Sequence, residues 1–327
     1  THRKNTEEEK KILAGEYVYS NVAEVVDHDC DADDLVFVGT TDMGTAVSVN
    51  PLAVGRKLIV ISGTVHHLMA GYGGGRKSIV PGIASRETIK MNHIRALDPS
   101  EPKSDDRVGS GKFTMNPINI DMREAGELVN PVFGINICVN SASKHSGLFC
   151  GDFDKAWKES CMYIQRSYGL PIQSEADVVF VSCGGFPKDL NFYQSTKSLF
   201  NGIRALKEGG TIVMLAECSE GSGARDFFDW IEPLKAGCLD ESLRKDFTIG
   251  GYIFYAACES IRKGNVLLLS SLDPNEIKDM GVKSFNSMDE LMKNVDLNGK
   301  DVYVIPYGGS LVPQLQETYM EFIDDLK

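Results

Sequence analysis

The residue types best suited to chemistry gather around a glycine-rich loop. Gly73, Gly74 and Gly75 are followed directly by Arg76 and Lys77, while His67 precedes the loop and His93 follows it on a predicted helix. Consecutive glycines let backbone N–H groups close around an anion, and the two cations add charge and a nucleophilic amine. Neutral imidazoles move protons and bind metals such as nickel or zinc. The cluster therefore predicts a bound, phosphate-bearing cofactor.

Two plainer interpretations of these residues stay open. The loop nearly fits the phosphate-binding pattern G-x-x-x-x-G-K-[ST], but Arg76 stands where the second glycine belongs. Nine residues, 62–70, also separate the preceding strand from Gly71, whereas a P-loop strand runs directly into its first glycine. We expect contact with a phosphate or nucleotide, and a structural turn is the alternative. His93, taken alone, is more typical of a core histidine with one hydrogen bond than of a metal ligand.

A second cluster lies in the other half of the chain. Tyr193 and Lys197 are one turn apart on a predicted helix, so both can reach one anionic group. The strand end Cys183-Gly184-Gly185 just before them places the pair near the carboxyl edge of a sheet, where ligands bind. A solvated helix face is the alternative, and Y-x-x-x-K also resembles short-chain dehydrogenases, whose glycine fingerprint is missing here. Of His66 and His67, only one should face a site, because adjacent strand residues point in opposite directions.

The elements that must position these residues alternate along the chain, which is typical of an α/β fold with mainly parallel sheets flanked by helices. We expect a first domain over 1–168, to which about 306–327 return, and a second, Rossmann-like domain over 172–304, with the active site in the cleft between them. Gly169-Leu170-Pro171 is the expected linker. Predicted strands are 35–38, 57–61, 132–139, 177–182, 211–215, 266–269 and 302–305, the last four forming a smaller parallel sheet; predicted helices lie near 85–97, 154–166 and 191–206, the last ended by Gly209-Gly210.

Composition limits the possible partners. Asp and Glu number 46 against 34 Lys and Arg, a net charge of -12, which argues against binding to nucleic acid or a membrane surface. The eight cysteines form no C-x-x-C pair, as expected of reduced thiols in a cytoplasmic protein. No apolar run approaches the roughly 18 residues of a membrane span.

The first residues predict a helix start. Thr6 and Glu9 form a capping-box pattern. A strand normally precedes such a helix in an α/β unit, and none is present, so we expect natural sequence to precede Thr1.

Together these residues resemble the nickel-pincer lactate racemase family, from His2 almost to the C-terminus. The first segment, Thr1-His2-Arg3 followed by Thr6 to Glu9, is similar to the family's first catalytic histidine segment. Two longer motifs carry most of the resemblance: His67-x-x-Ala70-Gly71-x-x-Gly74-Gly75-Arg76-Lys77-Ser78-x-x-Pro81-Gly82-Ile83-Ala84 closed by Asn92-His93, and Gly184-Gly185-Phe186-Pro187-x-Asp189-x-Asn191-x-Tyr193-Gln194-x-x-Lys197.

The resemblance implies a cofactor, nickel held by a pyridinium-3,5-bisthiocarboxylic acid mononucleotide (the nickel-pincer nucleotide). Cofactor-assembly enzymes would supply it. Lys77 would be the covalent tether and His93 the protein's ligand to nickel. The phosphate end would lie near Gly73, Gly74, Gly75 and Arg76.

The implied reaction is the racemisation or epimerisation of a 2-hydroxy acid through a 2-keto acid, by hydride transfer to the cofactor. Two bases are needed because the hydroxyl proton leaves on one face and returns on the other. His2 and His67 would be these bases, and Tyr193, Gln194 and Lys197 would hold the substrate.

Two departures from the family pattern affect this prediction. The upstream family segment, with an Asp and an Arg that contact cofactor and substrate, is absent. Val65 stands where the family often has an acid, so lactate itself need not be the substrate. Two other functions remain open: a nicotinamide-dependent 2-hydroxy acid oxidoreductase, and a non-catalytic nucleotide-binding protein.

Overall fold

The computed structural model describes residues 4–140, 142, 144–223 and 225–327, without the side chain of Arg225. The helices are α1 (Glu7–Ala14), α2 (Glu16–Asn21), α3 (Arg86–His93), α4 (Pro117–Val129), α5 (Phe153–Tyr168), α6 (Phe192–Gly202), α7 (Arg225–Phe228), α8 (Ile231–Lys235), α9 (Leu239–Lys245), α10 (Ile249–Arg262), α11 (Pro274–Ile277), α12 (Met288–Met292) and α13 (Gln316–Asp325). The strands are β1 (Val36–Thr40), β2 (Ala46–Val49), β3 (Ile59–Gly63), β4 (His66–His67), β5 (Gly71–Tyr72), β6 (Phe133–Val139), β7 (His145–Gly151), β8 (Gly169–Ile172), β9 (Ala176–Ser182), β10 (Leu206–Leu215), β11 (Asn265–Leu269), β12 (Val282–Phe285), β13 (Val302–Ile305) and β14 (Val312–Leu315).

A five-stranded parallel sheet organises the second half of the chain. Its order is β12-β11-β10-β9-β13, so the chain moves outward from β9 and then returns to the other side of it as β13. Its inner strands are apolar and buried, as expected for a parallel sheet with covered faces. The order reverses between β9 and β13, and in open α/β sheets ligands bind at the carboxyl ends of the strands beside such a reversal.

The first half is built around a smaller mixed sheet. Strand β3 pairs with β6 in parallel, and β6 pairs with β7 antiparallel. Helix α5 packs on β6 and β7. The short pair β4–β5 follows β3 and joins His67 to Gly71. This pair places the predicted site residue His67 next to the start of the glycine-rich loop.

The last strand and helix pack beside α5. Strand β14 pairs in parallel with β8, and α13 contacts both β8 and α5. The segment after β13 therefore lies against elements from the end of the first half. The domain limits of 1–168 with 306–327, and 172–304, stay a prediction.

Residues 169–171, expected as a linker between domains, form most of β8, whose backbone pairs with β14. Two other local predictions were wrong. Gly209 and Gly210 do not end a helix: α6 ends at Gly202, and both glycines lie inside the long strand β10. The second sheet, predicted to be the smaller, is the larger, with five strands against three, because β1 pairs with β2 and does not join the sheet of β3, β6 and β7.

The predicted fold class is confirmed, since the structure is α/β with parallel sheets flanked by helices. The capping box at the first helix is also present: the Thr6 hydroxyl accepts from the Glu9 amide, and the Glu9 carboxylate accepts from the Thr6 amide. Among the described residues, no helix has both the length and the apolar composition needed to span a membrane.

Candidate active site

A cavity of about 680 Å³ opens where the two halves of the chain meet. Five predicted site residues line it, together with other residues from both halves: His67, Lys77, His93, Tyr193 and Lys197, with Val65, His66, Leu68, Met69, Pro81, Ser110, Val139, Asn140, Ile164, Tyr168, Lys188, Thr196, Phe200, Asn201, Ile249, Ile253, Gly309 and Ser310. This lining contains three lysines and three histidines but no carboxylate. In a chain of net charge -12, such a lining selects for anionic ligands.

His67 is held in one orientation by the backbone that follows it. The amides of Met69 and Ala70 both donate to its Nδ1, at 3.1 and 3.2 Å. A ring nitrogen that accepts hydrogen bonds carries no proton, so the neutral ring has its proton on Nε2. His67 therefore presents an N–H group, from Nε2, at the end of its ring.

The proton on His67 determines the state of Lys77. The Lys77 Nζ lies 3.0 Å from His67 Nε2. Because Nε2 donates, Nζ must accept, which only a neutral amine can do. Burial points the same way, since it lowers the pKa of Lys77 to about 8. Burial and then the neighbouring Lys77 also lower the pKa of His67 well below its usual value. Above about pH 8 the pair is thus an uncharged amine beside an uncharged imidazole, whereas at lower pH the Lys77 amine is protonated and cannot accept this hydrogen bond.

His93 has the opposite tautomer. Its Nδ1 lies 3.1 Å from the carbonyl oxygen of Ile89, one turn earlier in α3. A carbonyl only accepts, so Nδ1 carries the proton and Nε2 keeps a lone pair. Burial, and then Lys77, lower the pKa of His93 to about 3. Within the described residues Nε2 has no hydrogen-bond partner. Metal-binding histidines commonly donate their other N–H to a backbone carbonyl in this way.

The second predicted cluster comes from α6. The Asn191 side chain caps the helix by accepting from the Gln194 amide, and Tyr193 and Lys197 then face the cavity. The Lys197 Nζ donates to Gln194 Oε1 at 2.7 Å. Burial lowers the pKa of Lys197. Gln194 itself does not line the cavity, but it orients the one cation that α6 contributes.

Arg76, predicted to lie near the phosphate end of a cofactor, is not among the residues that line the cavity. Its side chain is buried and donates to Asp154, at 2.8 and 2.5 Å, and to Asn119, at 3.0 Å. The guanidinium also lies over the ring of Trp157, 4.8 Å from its centroid. All of these contacts are within the protein, so Arg76 is a structural residue.

Gly73, Gly74 and Gly75 do not line the cavity either, and their contact with a cofactor phosphate stays a prediction. Trp157 Nε1 donates to the Gly73 carbonyl, and the Gly75 amide donates to Ser62 Oγ. A Cβ on Gly75 would lie 2.3 Å from the Trp157 ring. The glycines are needed for close packing against β3 and α5.

His2, the other predicted acid–base residue, lies outside the described residues. His66 lines the cavity together with His67, although only one of them was expected there. Its Nε2 hydrogen-bonds to Gln165 Oε1 at 3.0 Å, and its ring packs on Tyr72. The two-residue strand β4 is too short for strict alternation to separate the two side chains.

Sequence reasoning missed Lys188 and Ser310. Each follows a double glycine at the end of a parallel strand, at 184–185 after β9 and at 308–309 after β13. That repeated pattern was the available signal. A single lysine or serine in a loop has no spacing pattern of its own.

Comparison with known proteins identifies relatives along most of the chain. A family model described as the lactate racemase N-terminal domain matches residues 1–104, and one described as the lactate racemase C-terminal domain matches residues 172–312. Lactate racemase from Thermoanaerobacterium thermosaccharolyticum is 35% identical over 72% of this chain and 54% of its own length, so the match spans about half of that relative. Lactate racemase from Lactiplantibacillus plantarum is 30% identical over 94% of this chain and 73% of its own length.

Solved structures agree with this result. The lactate racemase apoprotein from Thermoanaerobacterium thermosaccharolyticum superposes with a TM-score of 0.85 at 29% identity, covering 95% of this chain and 76% of that one. A protein from Thermotoga maritima has a TM-score of 0.65 at 19% identity, covering 96% of this chain and 84% of that one. The second likeness concerns the fold alone.

Proposed function

This chain belongs to the lactate racemase family, and we propose on that premise that it is an isomerase that inverts the Cα of a 2-hydroxy acid. The observation that carries the proposal is the cavity lining of three lysines and three histidines without a carboxylate. A small acid needs cations for its carboxylate, and inversion needs proton-exchanging groups near its hydroxyl. One cavity in this chain combines both.

We propose the nickel-pincer nucleotide as the cofactor, because the donor groups of the cavity fit it. The neutral amine of Lys77 can form the covalent link, and the free lone pair of His93 Nε2 can bind nickel. The cavity volume of about 680 Å³ lies in the range of ligand sites. When bound, this cofactor would take up and return the substrate's hydride.

The side chains of the cavity would bind the acid and handle its proton. Lys197, oriented by Gln194, attracts the carboxylate, and Tyr193 on the same helix face adds a hydroxyl group. In this tautomer His67 Nε2 carries the proton and can donate a hydrogen bond to the substrate's hydroxyl oxygen. To act as a base, Nε2 must instead accept the hydroxyl proton, which requires the ring proton to sit on Nδ1 and the amides of Met69 and Ala70 to withdraw, and the imidazolium so formed is the acid for the reverse transfer. His2 is proposed as the second acid–base residue.

Intact mass and nickel content test the cofactor directly. The chain would be produced together with cofactor-assembly enzymes as wild type, Lys77→Ala, His93→Ala and, as a matched surface control, Lys283→Ala. Wild type and the control should gain a mononucleotide-sized mass with nickel. Lys77→Ala should lose the added mass, whereas His93→Ala should keep the mass and lose nickel.

Activity is then measured on the loaded wild type with enantiopure 2-hydroxy acids, lactate included. We expect inversion of at least one acid. In deuterated water the product should keep its original Cα hydrogen, because a transferred hydride does not exchange with solvent. A nickel-loaded chain that inverts none of the acids would refute the proposal. Consumption of NADH with 2-keto acids would instead support the oxidoreductase alternative.

A further inference from the structure

The edge of the larger sheet holds a cavity cation that has no role in the function proposed above. Lys188 lies in the loop after β9, and Ser310 lies in the loop after β13. The two strands are direct neighbours, with Val181 opposite Ile305 near their carboxyl ends. Both residues line the cavity at the point where the strand order reverses. This is the place where α/β sheets bind ligands.

The two loops are fixed to each other and to the sheet. The Gly308 amide donates to the Ser182 carbonyl at 2.8 Å, and Asn201 Nδ2 donates to the Gly308 carbonyl at 2.7 Å. Gly308 has no room for a side chain, because a Cβ would lie 2.1 Å from Val181. The close approach of the loops sets Lys188 beside Ser310, with Nζ 3.1 Å from Oγ.

The hydrogen bond between these two side chains leaves donors free. Lys188 Nζ donates to Ser310 Oγ, so the hydroxyl proton of Ser310 and two ammonium protons remain for a ligand. In the part of the chain that the structure describes, Lys188 forms no ion pair. A cation beside a hydroxyl, open to a cavity without carboxylates, is suited to an oxyanion.

We propose that Lys188 and Ser310 form a second anion subsite, which holds the terminal oxyanion of a ligand whose other end lies near Lys77 and Lys197. The oxyanion is either the phosphate of a pyridinium mononucleotide or a second carboxylate on the hydroxy acid. The inference rests on the proposed function for the other end of the ligand. It is favoured by the position of Arg76, whose guanidinium is bound by Asp154 and Asn119 and so contributes no charge to a phosphate in the cavity.

Calorimetric binding to the nickel-free chain tests the subsite with two ligand pairs. Nicotinamide mononucleotide is compared with nicotinamide riboside, which lacks the phosphate, and malate is compared with lactate, which lacks the second carboxylate. The variants are Lys188→Met, Ser310→Ala and the surface control Lys283→Met, each checked for folding by circular dichroism. A charged hydrogen bond to an oxyanion predicts a weakening of about tenfold for Lys188→Met and about threefold for Ser310→Ala.

The pattern of losses identifies the source of the oxyanion. Loss confined to the mononucleotide assigns the subsite to the phosphate, and loss confined to malate assigns it to the second carboxylate. Equal effects on both members of each pair, or no binding of any probe by wild type, would overturn the subsite. Because no nickel or turnover enters these measurements, they are independent of whether the loaded chain proves to be a racemase.

Discussion

The two glycine-rich regions of this molecule, 73–75 and 184–185, differ in what lies against their glycines. The loop at 73–75 is filled by protein: Trp157 lies against Gly75 and hydrogen-bonds to Gly73. The glycines at 184–185 follow β9 at the carboxyl edge of the larger sheet, and a Cβ on Gly185 would meet nothing within 4 Å. Both regions contain glycines with positive φ. A glycine with positive φ therefore does not by itself indicate a ligand-binding loop. The groups that fill the space beside the glycine determine whether a ligand can approach it.

The cations that follow each region show the same contrast. Arg76 turns into the protein and pairs with Asp154, while its neighbour Lys77 turns into the cavity. Both residues lie in the short 3₁₀ segment Gly75–Ser78, in which these two adjacent side chains point in different directions. Among the described residues, the side chain of Lys188, after the open glycines, hydrogen-bonds to Ser310 and forms no ion pair. Binding capacity thus lies where a cation lacks a carboxylate partner.

The largest expected effect comes from filling the packed region. Gly75→Ala places a Cβ 2.3 Å from Trp157 at a φ of +46°, so overpacking adds to backbone strain. We expect a loss of about 3 kcal/mol in the free energy of unfolding. The matched variant Gly185→Ala, at a φ of +76° with open space, should lose about 1 kcal/mol from backbone strain alone. Urea denaturation measures both, and equal losses would mean that Trp157 does not limit the loop.

A smaller expected effect is the difference in stability between variants of the adjacent residues Arg76 and Lys77. Arg76→Met removes three hydrogen bonds and leaves Asp154, which is 42% exposed, to be solvated by water. We expect a loss of about 2 kcal/mol in the free energy of unfolding.

Lys77→Met removes a buried amine whose partner, His67, lies in an open cavity. Its free energy of unfolding should change by less than about 1 kcal/mol. Urea titrations of the two variants make the comparison, and a loss for Lys77→Met as large as that for Arg76→Met would give Lys77 a structural role.

The sequence was sufficient to predict those parts of the structure that depend on local residue patterns. The apolar run at 177–182 becomes β9, and Thr6 with Glu9 caps α1 as the capping box requires. The residue types around Lys77 and Lys197 indicated groups that the structure brings to one cavity. Their roles in catalysis stay proposals.

The remainder depends on contacts between residues far apart in the chain. The sequence does not distinguish the directions of Arg76 and Lys77, and the contacts with Asp154 in α5 and Asn119 in α4 are what turn Arg76 inward. Gly209 and Gly210 suggest a helix end, but they lie in an irregular part of β10, between Leu206 and Thr211, which both pair with β9. Lys188 meets Ser310 only because β9 and β13 are adjacent in the sheet. No spacing along the chain encodes these three contacts.

The smallest expected effect is the pH dependence of Lys77 reactivity, which tests the difference between Lys77 and its neighbour Arg76. Burial lowers the pKa of Lys77 to about 8, so its free-amine fraction near that pH is roughly a hundred times that of an ordinary lysine, while its weaker basicity offsets about a factor of ten of that advantage. Acylation of Lys77 by acetic anhydride should therefore be about tenfold faster at pH 8 than that of a lysine model peptide, with a midpoint near 8. The same depressed pKa means that the unfolded chain binds more protons between about pH 8 and 10.4, so the contribution of Lys77 to stability rises with pH across that window. Peptide mass spectrometry over a pH series reads the labelling, and a midpoint near that of the model peptide would show that the amine is charged and that the hydrogen bond from His67 does not form.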